Sequence, residues 1–94
     1  MTRLHATYVA NNSRNDLLAI SSGDGHNWSG DSITNHQSPL APALTSFNGQ
    51  LWMAYVANNS SNDLLVISSR DGHIWSGDSI TNHQSPLAPA LTTL

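Results

Sequence analysis

The residues best suited to chemistry in this sequence are neutral hydrogen-bonding side chains that occur in short runs. One run, at residues 35–38, reads Asn-His-Gln-Ser, and an identical run occupies residues 82–85. Amide and hydroxyl groups and neutral imidazole rings both donate and accept hydrogen bonds. Such groups suit ligands with paired hydroxyls, such as neutral sugars, so these runs are candidates for a glycan-binding surface.

A second group of neutral polar residues consists of two identical Asn-Asn-Ser loops, at residues 11–13 and 58–60. They fit the same ligand chemistry, but Asn and Ser are also common in loops because they tolerate turn geometry. Both interpretations stay open for these loops. The candidate ligand contacts are Asn12, Asn35, His36, Gln37, Ser38, Asn59, Asn82, His83, Gln84 and Ser85.

The acidic residues give little support for catalysis or metal binding. All six are aspartates, and Asp31 and Asp78 fall in predicted outer strands rather than facing a second carboxylate across a pocket. Asp24 with His26, and its copy Asp71 with His73, offer only two metal ligands on an exposed turn. We therefore expect no catalytic residues, no metal site and no cofactor.

Composition restricts the partners that the protein can have. The chain has 94 residues, no cysteine, three Lys or Arg residues and a net charge of -3. It has neither the basic surface of a nucleic-acid-binding protein nor the run of about 20 apolar residues that a membrane span needs. The sequence does not open with a basic segment followed by an apolar stretch, so it predicts no signal peptide. Helix formers are scarce and turn residues abundant, which favours an all-β domain.

The elements that position the candidate residues follow from an internal repeat. Residues 48–94 repeat residues 1–47, and 35 of the 47 aligned positions are identical. A period near this length without helical segments is typical of one β-propeller blade, which consists of four antiparallel strands. The sequence therefore predicts one domain, residues 1–94, made of two tandem blade repeats.

The predicted strands are named a to d from the propeller axis outward, and the chain begins in strand b. Asn48-Gly49 is a strong hairpin signal between strands a and b. The b–c and d–a loops share one face, which collects the candidate ligand contacts. The predicted strands are b at 4–10, c at 16–22, d at 28–34, a at 41–47, b at 51–57, c at 63–69, d at 75–81 and a at 88–94.

This circular offset predicts an assembly. The first blade lacks its strand a, and residues 88–94 form a spare one. Open sheet edges and exposed blade faces promote association. A head-to-tail ring closes if strand 88–94 of one chain completes the first blade of a neighbouring chain. We expect a homotrimer with six blades, with an eight-bladed homotetramer or a fragment of a longer propeller as alternatives.

The predicted c–d turns, at residues 21–28 and 68–75, resemble the Asp-box of sialidase-type β-propellers, whose pattern is Ser-x-Asp-x-Gly-x-x-Trp. Both matches are degenerate, because the aspartate is displaced by one position. In that family the motif is structural: the Asp caps backbone amides and the Trp packs the turn. The resemblance implies structural roles for Asp24, Gly25, Trp28, Asp71, Gly72 and Trp75.

The length and repeat number also resemble small bacterial two-blade lectins that trimerise into six-bladed, fucose-binding propellers. This similarity is one of architecture, so no sugar-binding residue carries over from it. The expected function is a non-enzymatic, multivalent, lectin-like propeller with glycans and its own copies as partners. The alternative is a structural or engineered repeat scaffold without a dedicated ligand, which the high repeat identity fits equally well.

Overall fold

The computed structural model describes residues 3–94, which fold into seven antiparallel strands without a helix. The strands form two sheets, and within each sheet they follow one another in chain order. The all-β class is therefore confirmed. The three-stranded sheet contains β1 (Leu4–Val9), β2 (Asp16–Ser22) and β3 (Ser32–Gln37), and the four-stranded sheet contains β4 (Ala43–Phe47), β5 (Gln50–Val56), β6 (Asp63–Ser69) and β7 (Ser79–Gln84).

Asparagine and glycine make the tight connections between these strands. The β4–β5 hairpin turns at Asn48 and Gly49, whose φ angles of 53° and 75° both lie in the left-handed region. A two-residue hairpin turn of type I′ needs that conformation at both positions, which explains the Asn-Gly pair. Asn15 and Asn62 adopt the same conformation in the β1–β2 and β5–β6 loops, with φ of 57° and 54°.

The hydrophobic core lies between the two sheets. Leu17 of β2 meets Met53 and Tyr55 of β5 and Ile67 of β6, and all four side chains are at most 2% exposed. Burying an apolar side chain of this size stabilises a fold by about 1.5–3 kcal/mol. This cluster therefore fixes how one sheet lies on the other. The packing of the sheets in turn sets the positions of the polar residues at the ends of the strands.

The outer strands β3 and β7 begin later than predicted, at residues 32 and 79 rather than 28 and 75. Trp28 makes only an isolated bridge to Ser22, and the backbone nitrogen of Ser29 donates to the Ser21 carbonyl over 2.9 Å, so the turn extends further. The strand then continues to Gln37, through residues expected in a loop. Asn35, with φ of 66°, lies where the β2–β3 register shifts. Asn is rare in strands but tolerates the left-handed conformation of a bulge, so the predicted end of this strand at residue 34 is wrong.

The C-terminal tail, residues 88–94, does not form the predicted eighth strand in the single chain. Residues 85–94, all of which the structure describes, contain no strand. The tail lies beside β4: the hydroxyl oxygens of Thr93 and Thr45 are 3.0 Å apart, and Thr93 donates to the Ser46 carbonyl. A strand needs a partner edge. The inner edge of β5 is occupied by β4, and the matching edge of β1 is open within residues 3–94.

Candidate functional site

A polar cleft lies where the end of the three-stranded sheet meets the four-stranded sheet. Its volume is about 230 Å³. Most of its lining side chains are polar and come from both sheets, and two are apolar. The lining residues are Asn35, His36, Gln37, Tyr55, Ala57, Asn58, Leu65 and Asp78. The structure therefore brings three of the candidate ligand contacts, Asn35, His36 and Gln37, into one concave site.

At the base of this cleft, three side chains form a cluster that joins the two sheets. The Tyr55 hydroxyl donates to the Asp78 carboxylate. The Nδ1 atom of His36 lies 3.0 Å from the Tyr55 hydroxyl oxygen and 3.2 Å from Oδ1 of Asp78. The Nε2 atom of His36 donates to the Ser76 carbonyl over 3.1 Å, since a carbonyl oxygen can only accept. Both ring nitrogens are thus engaged within the protein, and His36 holds the two sheets together.

The environment of the cluster keeps the tyrosine protonated. Burial raises the pKa of Tyr55 far above its usual value, and the hydrogen bond to Asp78 and the charge of that carboxylate raise it further. All three effects disfavour the charged phenolate form of Tyr55. The Tyr55 side chain is therefore a hydrogen-bond donor at any physiological pH. The Asp78 side chain is 38% exposed, so its carboxylate can also accept hydrogen bonds from outside.

The Asn-Asn-Ser loops use their second asparagine to hold the loop together. Oδ1 of Asn12 accepts from the backbone nitrogens of Arg14 and Asn15, at 3.1 and 2.9 Å, and its Nδ2 donates to Asp16. Asn59 likewise accepts from the backbone nitrogen of Ser61 and donates to the next aspartate along the chain. The geometry thus shows turn-stabilising contacts for both residues, in line with the alternative left open for these loops.

Gln37 and Ser38 also make internal hydrogen bonds, and they differ in accessibility. Gln37 is exposed, and its Nε2 donates to Asp16 over 3.2 Å. Ser38 is fully buried, and its hydroxyl donates to the Leu40 carbonyl, so no ligand can reach it in this chain. The second run repeats these contacts, with Gln84 donating to Asp63 and Ser85 donating to Leu87. The second run differs in that Asn82 and His83 are exposed at the end of β7, without a facing sheet within residues 3–94.

The turns that resemble an Asp-box are held by their aspartates. Oδ1 of Asp71 accepts from the backbone nitrogens of His73 and Ile74, at 2.8 and 3.0 Å, and these bonds lower the pKa of Asp71 to about 2. Asp24 makes the equivalent bonds, which hold its pKa well below the usual range. Gly25 and Gly72 both have φ of 82°, in the left-handed region that glycine favours.

The two tryptophans of these turns differ in their surroundings. Trp28 is 42% exposed, whereas Trp75 packs against the core cluster. The buried Nε1 of Trp75 has no hydrogen-bond partner within residues 3–94. The tryptophan side of the turn is therefore packed against the core in the second sheet and exposed to solvent in the first sheet.

The opposite, outer face of the four-stranded sheet is apolar and open. Side chains alternate along a strand, so Trp52 points away from the core that Met53 joins. The Trp52 and Phe47 rings lie 6.2 Å apart, and the indole nitrogen donates to the Phe47 carbonyl. With Val66 and Leu91 these rings line a groove of about 310 Å³ between the sheet and the tail. Trp52 is half-buried in this groove.

Tyr55, Asn58 and Asp78 line the cleft but are not among the ligand contacts predicted from the sequence. The sequence places Asp78 in an outer strand without a second carboxylate facing it, whereas the later start of β7 leaves it in the segment that approaches Tyr55. Tyr and Asp recur 23 residues apart in both repeats, as Tyr8 with Asp31 and Tyr55 with Asp78. Because 35 of the 47 aligned positions recur, this spacing alone does not mark a site.

Comparisons with models of protein families, with curated proteins and with solved structures found no match for this chain. Among the residues that the structure describes, no three His, Cys, Asp or Glu side chains are placed so that they could hold a metal ion together. The same residues include no helix with the length and apolar character to cross a membrane. The site must therefore be interpreted from its own chemistry.

Proposed function

We propose that the two sheets are blades of a β-propeller, and that identical chains close into a ring by exchanging the tail. The observation that carries this proposal is the open edge of β1 together with the sequence of the tail. Residues 88–92 are identical to residues 41–45, which begin the segment that forms β4 and pairs with the equivalent edge of β5. A tail from one chain thus has the right sequence to complete the three-stranded sheet of the next chain.

The apolar faces favour the same arrangement. Trp28 and Tyr8 are exposed on the first sheet, 42% and 37%, and Trp52 and Phe47 line the groove on the second. A head-to-tail contact would cover both faces at once, because each stands at one end of the chain's sheet pair. Three chains would give six blades, and four chains would give eight.

The register of the exchanged strand follows from β4 and β5. In the chain, Ala43 pairs with Ala54. One repeat later along the chain, the counterpart of Ala43 is Ala90, and one repeat earlier the counterpart of Ala54 is Thr7. The equivalent pair between two copies is therefore Ala90 of one chain and Thr7 of the next. Opposed residues in antiparallel strands lie about 4.5–5.5 Å apart at Cα, within the span of a disulfide. Because the chain contains no cysteine, any disulfide that forms must join the engineered cysteines.

The experiment is oxidative cross-linking of the Thr7→Cys/Ala90→Cys variant, with Ala43→Cys/Ala54→Cys as the matched control. The control should close within a single chain. The test variant should give covalent oligomers that end at three chains, or at four if the ring has eight blades. Native mass spectrometry of the wild type on dilution should report the same number. Single chains in both measurements would refute the ring.

Within this ring, we infer a non-enzymatic, lectin-like role for the polar cleft. Its amides, its carboxylate and its two apolar side chains suit a neutral glycan, whose hydroxyls both donate and accept. The other aspartates support a binding rather than a catalytic role, since Asp24 and Asp71 are used in turns. Individually weak clefts that repeat around a ring gain avidity, by about 10²–10⁴ where several engage together.

A glycan array probed with the assembled protein tests this part of the proposal. Asn58 lines the cleft, whereas Ser60 is exposed on the same loop outside it. Asn58→Ala should therefore weaken any saturable, sugar-competed binding, and Ser60→Ala should leave it unchanged. A closed ring that binds no glycan would instead favour the alternative, a structural or engineered repeat scaffold without a dedicated ligand.

A further inference from the structure

The cluster at the cleft joins the two sheets within one chain, and its parts come from different repeats. His36 belongs to the three-stranded sheet, whereas Tyr55 and Asp78 belong to the four-stranded sheet. The cluster therefore marks a junction between neighbouring sheets. Each further junction of the same geometry would need one histidine from the preceding sheet and one Tyr–Asp pair from the following sheet.

The chain carries the parts of a second cluster at its two ends. Tyr8 donates to Asp31 on the first sheet, as Tyr55 donates to Asp78 on the second. The pKa of Tyr8 is raised, first by this hydrogen bond and then by burial and the charge of Asp31. The histidine equivalent to His36 is His83, which lies exposed at the far end of the other sheet.

All eight residues that line the cleft have identical counterparts 47 positions away, although 12 of the 47 aligned positions differ between the repeats. The counterparts are Asn82, His83 and Gln84 from one end of the chain, and Tyr8, Ala10, Asn11, Leu18 and Asp31 from the other.

The cavity at the opposite end of the sheet junction is lined in part by residues that differ between the two repeats. It has a volume of about 280 Å³, and its lining includes Arg3, His5 and Arg70. The counterparts of these three residues are Gln50, Trp52 and Gly23. A junction between chains would thus differ from the junction within a chain at that end and match it at the cleft.

We infer that, in the proposed ring, each chain completes the cleft of the next: His83 of one copy contacts Tyr8 and Asp31 of its neighbour. This inference rests on the proposed ring. It adds that half of the clefts are built from two chains, so the number of binding sites equals the number of sheets rather than the number of chains. The partner that completes the open Tyr8–Asp31 pair is a second copy of this protein.

A double-mutant cycle on ring dissociation tests the contact. His83→Ala and Tyr8→Phe should each raise the dissociation constant about tenfold, the effect of one hydrogen bond in a charged cluster. Because both changes remove the same contact, the double variant should be hardly weaker than either single variant. His83→Ala combined with Tyr55→Phe is the matched control, and its effects should multiply, since these residues belong to different clusters.

The outcomes separate this inference from the proposal on which it rests. If native mass spectrometry finds only single chains, the ring and the shared cleft are both refuted. A ring in which the effects of His83→Ala and Tyr8→Phe multiply would refute the shared cleft alone. Coupling between the two positions would support it, whether or not the array identifies a glycan.

Discussion

The Tyr55 hydroxyl is expected to stabilise the single chain more than the Tyr8 hydroxyl, although the two residues are copies of each other. Tyr55 is 2% exposed and its hydroxyl contacts Asp78 and His36, whereas Tyr8 is 37% exposed and, among residues 3–94, its hydroxyl has Asp31 as its one hydrogen-bond partner. The substitution to Phe removes one oxygen atom at each position, so the comparison isolates the hydroxyl contacts in two environments.

The size of the difference follows from burial. A hydrogen bond to a charged group contributes about 1.5–3 kcal/mol. Water can reach the Asp78 carboxylate, which is 38% exposed, so Tyr55→Phe should fall at the lower end of that range, about 1.5 kcal/mol or a tenfold change in the unfolding equilibrium. For the solvent-exposed Tyr8–Asp31 pair we expect less than about 1 kcal/mol.

The assay is urea unfolding followed by tryptophan fluorescence, at a protein concentration where native mass spectrometry finds single chains. Both variants should keep the wild-type dependence on urea concentration and differ only in the midpoint. Equal effects, or a larger effect for Tyr8→Phe, would show that burial at the sheet junction does not strengthen the Tyr55 contacts.

Three further changes probe the turns and the core. Because the pKa of Asp71 is lowered to about 2, its turn contributes stability above the unfolded pKa near 4 and loses it as the pH falls toward 2; thermal unfolding between pH 5 and 2 should show this loss, and Asp71→Asn should reduce it. Gly72→Ala should lower the stability measured by thermal unfolding by more than about 1 kcal/mol, since φ is 82° and an added methyl group would lie 3.0 Å from an imidazole ring. The control Gly77→Ala adds its methyl group in open space and should be close to neutral. Leu17→Ala should cost about 2–5 kcal/mol in urea unfolding because its side chain is fully buried between the sheets, and its half-buried copy Leu64→Ala should cost clearly less in the single chain.

Repeat and turn signals predicted the inner strands well. β2 and β6 begin and end where expected, at residues 16–22 and 63–69, and the Asn48-Gly49 turn lies at the predicted hairpin. These elements depend on local sequence: alternating apolar side chains and residues that tolerate left-handed φ angles. Such information is present within a few residues, so the sequence alone was sufficient for them.

The outer strands and the site required information that is not local. The register of β3 against β2 shifts beside Asn35, and the next residue, His36, contacts Tyr55 of the other sheet. No pattern within either repeat indicates that contact, because it depends on how the sheets pack. Likewise, the tail has the sequence of a strand, but β4 already occupies the matching edge of the sheet that it follows in its own chain.

Strand order has a consequence for how the protein forms. Every strand pairs with the strand next to it along the chain, so each sheet is a series of local hairpins. Local pairing is fast, because closing short loops costs little chain entropy. In the proposed ring, the slow step would then be the meeting of chains, and its rate would rise with protein concentration. Chains synthesised close together on one messenger would have an advantage over the same chains released singly into a dilute solution.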